Sequence, residues 1–247
     1  MSVKKSTVKK WSIRIALGIV ALAALAIIAF TLYAQFDYGP SEALAEQVDL
    51  GAVKRDDHGL VFLPENPNGQ GLILYQGAKV EAKAYAYLGE KLSEQGYTVS
   101  IPKLPLKFGI FGVNKAEAVI EDYPEITAWF IGGHSLGGVA AAMYAEEHQD
   151  ELAGLFFLGS YPAGDFAASK LPMLSIYGEN DGLTLLEDIE NNRVLFSASS
   201  EFVEIPGGNH AQFGMYGEQK GDNPADISPL EQQDLIVEAL LNWMKDK

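Results

Sequence analysis

Residues 133–137 read Gly133-His134-Ser135-Leu136-Gly137, directly after the strand-like run Ile126–Ile131 and directly before Gly138-Val139-Ala140-Ala141-Ala142-Met143, which reads as a helix. A strand that becomes a helix within so few residues puts the central serine on a sharp bend. There the flanking backbone must pass close to its neighbours, and a Cβ at either glycine would clash. The rest of the chain repeats this rhythm. Strand candidates are Leu60–Leu63, Gly71–Tyr75, Thr98–Ile101, Ile126–Ile131, Gly154–Leu158, Met173–Tyr177 and Phe202–Ile205. Between them lie helical patterns near Glu81–Gln95, Lys115–Asp122, Gly137–His148 and Thr184–Asn191. Strands alternating with helices, several of them continuously apolar, predict the α/β class: a mostly parallel sheet covered on both faces. At the C-terminus Ser228-Pro229-Leu230-Glu231 supplies an N-cap serine, a proline in the first turn and a capping-box glutamate. Ile236, Ala239, Leu240 and Trp243 then recur at helical spacing.

Ahead of this domain, Ile15–Ala34 carries no charge and is preceded by Lys4, Lys5, Lys9, Lys10 and Arg14. A run of about 20 apolar residues spans a hydrocarbon core about 30 Å thick. A cleaved signal peptide, the other reading, has an apolar region of about 7–15 residues and a small-x-small cleavage site. Here the run is longer, and Leu32-Tyr33-Ala34 is a poor cleavage match. No Lys or Arg follows until Lys54, so the positive-inside rule leaves the N-terminus in the cytoplasm and the bulk of the chain outside. The expected organisation is a basic cytoplasmic tail over residues 1–14, a transmembrane anchor over 15–34, a linker over 35–50 that contains Gly39-Pro40, and an α/β domain over 51–247.

Charge and composition narrow the partners. Beyond the anchor the chain has 13 basic against 33 acidic residues, a net charge of −20, which repels phosphate backbones and argues against nucleic acid. There is no cysteine, so disulfides, a thiol nucleophile and Cys-type zinc sites are excluded. His, Asp and Glu show no metal-ligand spacing, and no G-x-G-x-x-G turn follows the first strand. Neither a metal nor a dinucleotide cofactor is expected. The expected partner is a small-molecule substrate.

A serine hydroxyl is a poor nucleophile at neutral pH and needs a base. Of the four histidines, His134 is adjacent to Ser135, His58 lies in the turn-like Asp56-Asp57-His58-Gly59, and His148 ends the helix after the bend. His210 remains, in the glycine-rich Pro206-Gly207-Gly208-Asn209-His210 just past a strand. The base needs a carboxylate to hold its tautomer. Asp181, in Gly178-Glu179-Asn180-Asp181-Gly182 at the end of another strand, is the first candidate and Glu179 the reserve. An oxyanion donor is expected from the N–H of Leu136, at a helix N-terminus. A second is expected from the turn Gln76-Gly77-Ala78-Lys79, through the N–H of Ala78 or of Gly77. The proline-bearing stretch 102–112 has three readings: lining an acyl pocket, leaning on a membrane, or packing under a loop.

Gly133-His134-Ser135-Leu136-Gly137-Gly138, Gly178-x-x-Asp181 and Gly208-Asn209-His210, in that order, resemble the α/β-hydrolase superfamily. Tyr75-Gln76-Gly77-Ala78-Lys79-Val80 and Gly208-Asn209-His210-Ala211-Gln212-Phe213-Gly214 resemble its small, lidless, dienelactone-hydrolase-like members. The resemblance covers roughly residues 58–247 and implies the α/β-hydrolase fold with a Ser135–His210–Asp181 triad. Gln76 stands where many relatives place histidine. Dienelactone hydrolases use a cysteine nucleophile, which this chain lacks, so their substrate does not carry over. Only Gly159–Pro172 separates two strands where many hydrolases insert a cap, too short a stretch for a cap domain. The implied activity is hydrolysis of an ester-type carbonyl through an acyl-enzyme. The rivals are an amidase or peptidase with the same triad, and a non-catalytic binding domain on the same fold.

Overall fold

All seven apolar runs become strands. The computed structural model describes residues 2–245 and 247, with side chains from Trp11 onward except at 246. The chain divides into two units, one ending at Asp37 and the other running from Tyr38 to Lys247.

The first unit is α1, Ser2–Tyr33. Its stretch Trp11–Tyr33 is long and apolar enough to cross a membrane. At 1.5 Å rise per residue, its 23 residues extend about 35 Å. Apolar side chains are exposed all round it, Leu22 at 69% and Ile27 at 66% among them, as suits a helix built for lipid rather than for one side of a core. A membrane anchor and a signal sequence both fit that length and composition. The side chains of Lys4, Lys5, Lys9 and Lys10, which carry most of the basic tail, lie outside the described residues.

The second unit is built on β1 (Gly59–Phe62), β2 (Gln70–Tyr75), β3 (Thr98–Pro102), β4 (Ala128–His134), β5 (Gly154–Leu158), β6 (Met173–Gly178) and β7 (Glu201–Ile205). They form one sheet in the order β1-β3-β2-β4-β5-β6-β7. Only β1 runs antiparallel, against β3. Successive side chains of a strand point to opposite faces, so a parallel strand must be apolar at every position to serve two cores. Leu72, Leu74, Phe130, Phe156 and Leu158 lie in the first core, with Leu88 and Leu92 of α3 (Ala86–Glu94) and Ile236, Leu240 and Trp243 of α7 (Pro229–Met244). Ile73, Trp129, Ile131, Leu155 and Phe157 lie in the second, with Val119 of α4 (Lys115–Asp122) and the alanines of α5 (Leu136–Glu147). α6 (Leu186–Asn192) lies between β6 and β7, and Ser228 caps α7 as expected, accepting the Glu231 N–H.

Two expectations need correction. The helix expected over 81–95 is a 3₁₀ turn, Ala82–Tyr85, followed by α3. The segment read as a linker over 35–50 belongs to the folded domain from Tyr38 onward. A short helix, α2 (Glu42–Ala45), is capped by Ser41, Leu44 and Val48 are buried in the first core, and Ser41 N–H donates to Met215 O. Tyr38 and Leu50 also pack on that core, and Tyr38 exchanges backbone hydrogen bonds with Lys79 and Glu81.

Candidate active site

Because β2, β4, β5, β6 and β7 are parallel, their carboxyl ends share one edge of the sheet, where ligand sites of open α/β sheets form. Gln76, Ser135, Gly159, Asp181 and His210 all lie within a few residues of those ends.

Ser135 occupies the bend between β4 and α5 with φ 52° and ψ −124°. A left-handed φ at a non-glycine residue costs about 1–3 kcal/mol and persists only where the surroundings enforce it. The surroundings are backbone. A Cβ on Gly133 would stand 2.6 Å from Tyr75 O, and one on Gly137 would run into the same oxygen. Both glycines are therefore needed for β4, α5 and the end of β2 to approach this closely. Ser135 N–H donates to Leu158 O, and Ser160 Oγ donates to Ser135 O at 2.8 Å. The serine is half-buried, and its own Oγ has no hydrogen-bond partner among the described residues.

Asp181 and His210 come together. Asp181 Oδ2 lies 2.8 Å from His210 Nδ1, and the two side chains are 0% and 1% exposed. The other carboxylate oxygen accepts the N–H groups of Leu183 and Thr184, which fixes its rotamer. With Nδ1 donating to Asp181, Nε2 of His210 keeps its lone pair. Glu179, the reserve acid, instead accepts the Gly207 N–H at 2.8 Å. The other outlying histidines are engaged elsewhere: His58 Nε2 is 2.7 Å from Asp122, and His148 stacks on Tyr144 and lies 3.4 Å from Glu151.

Two further side chains hold the loops that carry Asp181 and His210. Asp222 Oδ1 accepts the N–H groups of Gly182 at 2.9 Å and His210 at 3.3 Å, while its Oδ2 accepts that of Ala211 at 2.8 Å. Gln232 of α7, fully buried, accepts the Asn209 N–H and donates to the Asn209 carbonyl. Sequence reasoning found neither. The polar residue Gln232 inside the apolar pattern of α7 was the one available signal.

The oxyanion candidates separate. The Leu136 N–H begins α5 and so has no partner within the helix. It and the Ala78 N–H have no hydrogen-bond partner among the described residues. Gly77 does not qualify as a donor, contrary to expectation: its N–H is buried and donates to Tyr85 Oη at 2.9 Å. His134 was set aside as a neighbour of the serine, yet its ring lies 4.6 Å from that of His210. Burial and then the neighbouring His210 push its pKa well below that of a free imidazole. The stretch 102–112 forms two 3₁₀ turns, Pro105–Lys107 and Gly109–Phe111. Gly109 sits against Ala140 and the Leu136 carbonyl at the start of α5, and Lys107 O accepts the Lys79 N–H. Leu104 is buried in the second core, so part of the stretch packs, whereas Leu106, Ile110 and Phe111 are exposed.

A parallel α/β sheet with a serine elbow after one strand, and a buried Asp–His pair after two later ones, defines the α/β-hydrolase class. The chain belongs to the alpha/beta hydrolase family, whose sequence model matches residues 71–234. No curated protein has detectable sequence similarity to it. Among solved structures, an alpha/beta hydrolase enzyme from the metagenome of lagoon sediments at Mar Chica, Morocco, is 17% identical with a TM-score of 0.59, covering 78% of this chain and 98% of that one. Est1E from Butyrivibrio proteoclasticus with ferulic acid bound is 15% identical with a TM-score of 0.57, covering 75% and 94%. A dienelactone hydrolase from Anabaena variabilis is 18% identical with a TM-score of 0.55, covering 74% and 90%. At these identities the likeness is one of fold.

Proposed function

We propose that this protein is a serine hydrolase that cleaves ester-type carbonyls of small molecules, held at a membrane by α1 with its catalytic domain outside the cytoplasm. Ser135 Oγ attacks the carbonyl carbon as His210 Nε2 takes its proton. Asp181 keeps His210 in the right tautomer and balances the imidazolium. The N–H groups of Leu136 and Ala78 receive the oxyanion. The imidazolium then protonates the leaving alcohol, and water, activated by the same base, releases the acyl group from Ser135.

The observation that carries this reading is the fully buried Asp181–His210 pair on the same sheet edge as a serine held at φ 52°. Burying an imidazole–carboxylate pair carries a desolvation cost, and strained backbone clusters at working sites. The apolar length of α1 and the basic residues ahead of it support a retained anchor with a cytoplasmic N-terminus.

The test is turnover of a matched pair, p-nitrophenyl acetate and p-nitroacetanilide, by the full chain in detergent and by its Ser135→Ala variant. The ester should be hydrolysed, the anilide far more slowly, and Ser135→Ala should lower ester turnover at least 10³-fold, on the order seen when a triad nucleophile is removed. Equal turnover in the variant would remove Ser135 as nucleophile. Comparable rates on both substrates would indicate an amidase, and no turnover of either a binding domain. For topology, protease added to intact cells should digest the domain after Gln35. A soluble mature chain beginning near that residue would mean a cleaved signal.

A further inference from the structure

Tyr85 stands between the two halves of the site. It is fully buried at the end of the 3₁₀ turn before α3, and its hydroxyl meets two groups: the Gly77 N–H at 2.9 Å and His134 Nδ1 at 2.8 Å. A phenol has one hydrogen to give and lone pairs to receive with. Gly77 can only donate, so the phenol accepts there and its own hydrogen is available to His134 Nδ1; in that arrangement the His134 proton sits on Nε2, which has no hydrogen-bond partner among the described residues. That ring in turn lies 4.6 Å from the ring of His210, tilted by 47°, and is enclosed by Phe213 and Tyr216 at 5.8 and 6.1 Å.

We infer that Tyr85 and His134 are positioning residues, a buried strut that sets the Gly77–Ala78 turn against His210; the inference rests on the serine-hydrolase reading above. Three features of the geometry carry it. The Gly77 N–H is drawn inward to Tyr85, and the next N–H along the turn, that of Ala78, is left without a hydrogen-bond partner among the described residues. The turn rides directly on His134, because a Cβ on Gly77 would stand 2.8 Å from His134 Nδ1 and 3.3 Å from Tyr85 Oη. A neutral His134 also spares the imidazolium that forms on His210 from a second positive charge alongside it. The strut touches no reacting atom. It acts by holding a donor and a base at a fixed separation, and displacements of about 1 Å in such a pair cost on the order of 10²-fold in rate.

Tyr85→Phe keeps the ring and removes only the shared hydroxyl. In the full chain, its kcat on p-nitrophenyl acetate should fall roughly 10- to 100-fold while KM stays within about twofold. Labelling by a fluorophosphonate probe should slow by a similar factor. A second pair of variants guards against loss of folding. His134→Asn presents an amide oxygen near the position of Nδ1 and can accept the Tyr85 hydrogen, whereas His134→Leu cannot. The Asn variant should keep at least about five times the kcat of the Leu variant, and Tyr85→Phe added to His134→Leu should cost little more. A purely structural role would lower Tm in all of them, leave kcat of the folded fraction within twofold of wild type, and make Asn and Leu alike. Any of those kinetic results overturns the strut. If the wild-type chain neither turns over the ester nor labels at Ser135, the serine-hydrolase reading has failed and the strut falls with it. A working wild type with an unchanged Tyr85→Phe rejects the strut alone.

Discussion

The Ser135 bend and the Asp181–His210 pair share one edge of the sheet, but they are held there by opposite means. Around Ser135 the constraints are backbone against backbone: Gly133 and Gly137 against the Tyr75 carbonyl, and the Ser135 N–H on Leu158 O. Around Asp181 and His210 they are polar side chains: Asp222 bridging the two loops and Gln232 reaching out from α7. A close backbone contact leaves no room for adjustment, whereas a hydrogen-bond clamp can lose a member and relax. Damage at the elbow should therefore be all-or-none, and damage on the acid–base side graded.

The most severe test of that contrast is Gly137→Ala. The added methyl collides with the Tyr75 carbonyl. Turnover should be lost to background, with a stability cost of about 1–3 kcal/mol for overpacking. Thermal melting and ester kinetics together check this, and a Gly137→Ala enzyme with near-normal kcat would break the comparison. His210→Ala comes next, with kcat down roughly 10³- to 10⁴-fold and a lowered Tm, since Asp222 and Gln232 still hold the loop but the buried Asp181 loses its partner. Milder still is Asp222→Asn. The amide retains one acceptor oxygen but no longer receives N–H bonds on both sides, so kcat should fall only about 3- to 10-fold, with a Tm loss of a few degrees. An effect as large as that of His210→Ala would mean that this side is as rigid as the elbow.

The smallest effect expected is on the pH dependence of stability. Folding lowers the pKa of His134 from the usual 6.5, through burial first and the charge of His210 second. Below about pH 6.5 the unfolded chain takes up this proton before the folded one does. The stability linked to His134 is thus complete above that pH and is lost as the pH falls toward the folded-state value. His134→Asn should flatten the decline of Tm between about pH 6.5 and 5 relative to wild type. Parallel Tm curves for the two proteins would contradict a neutral, buried His134.

The same contrast explains what was legible in the sequence. The inner strands were readable because a parallel strand between two cores must be apolar at consecutive positions, as in Gly154–Leu158, whereas the edge strands are antiparallel (β1) or carry exposed Glu201 and Glu204 (β7). The elbow was readable because its constraint is local: five residues carry both the strain and the glycines that permit it. Asp181 and His210 followed from their place at strand ends. The supports did not follow, since nothing near Tyr85 in the chain reveals His134, 49 residues away, and nothing near Asp222 reveals Gly182, 40 residues away. Gly77 was credited with a free N–H for the same reason. Residues 38–50 looked like a linker because Leu44 and Val48 alone show no period, and only the core they enter gives them meaning.

The central claim is that Ser135 is a nucleophile activated by a base it shares an edge with. It is tested most directly by reacting the full-length protein with a fluorophosphonate probe and locating the adduct by peptide mass. Wild type should label once, on the peptide containing Ser135, at a rate that depends on His210 as the group that accepts the serine proton. Ser135→Ala should not label, and His210→Ala should label far more slowly. An adduct on another residue, or equal labelling of the Ser135→Ala variant, would contradict the account.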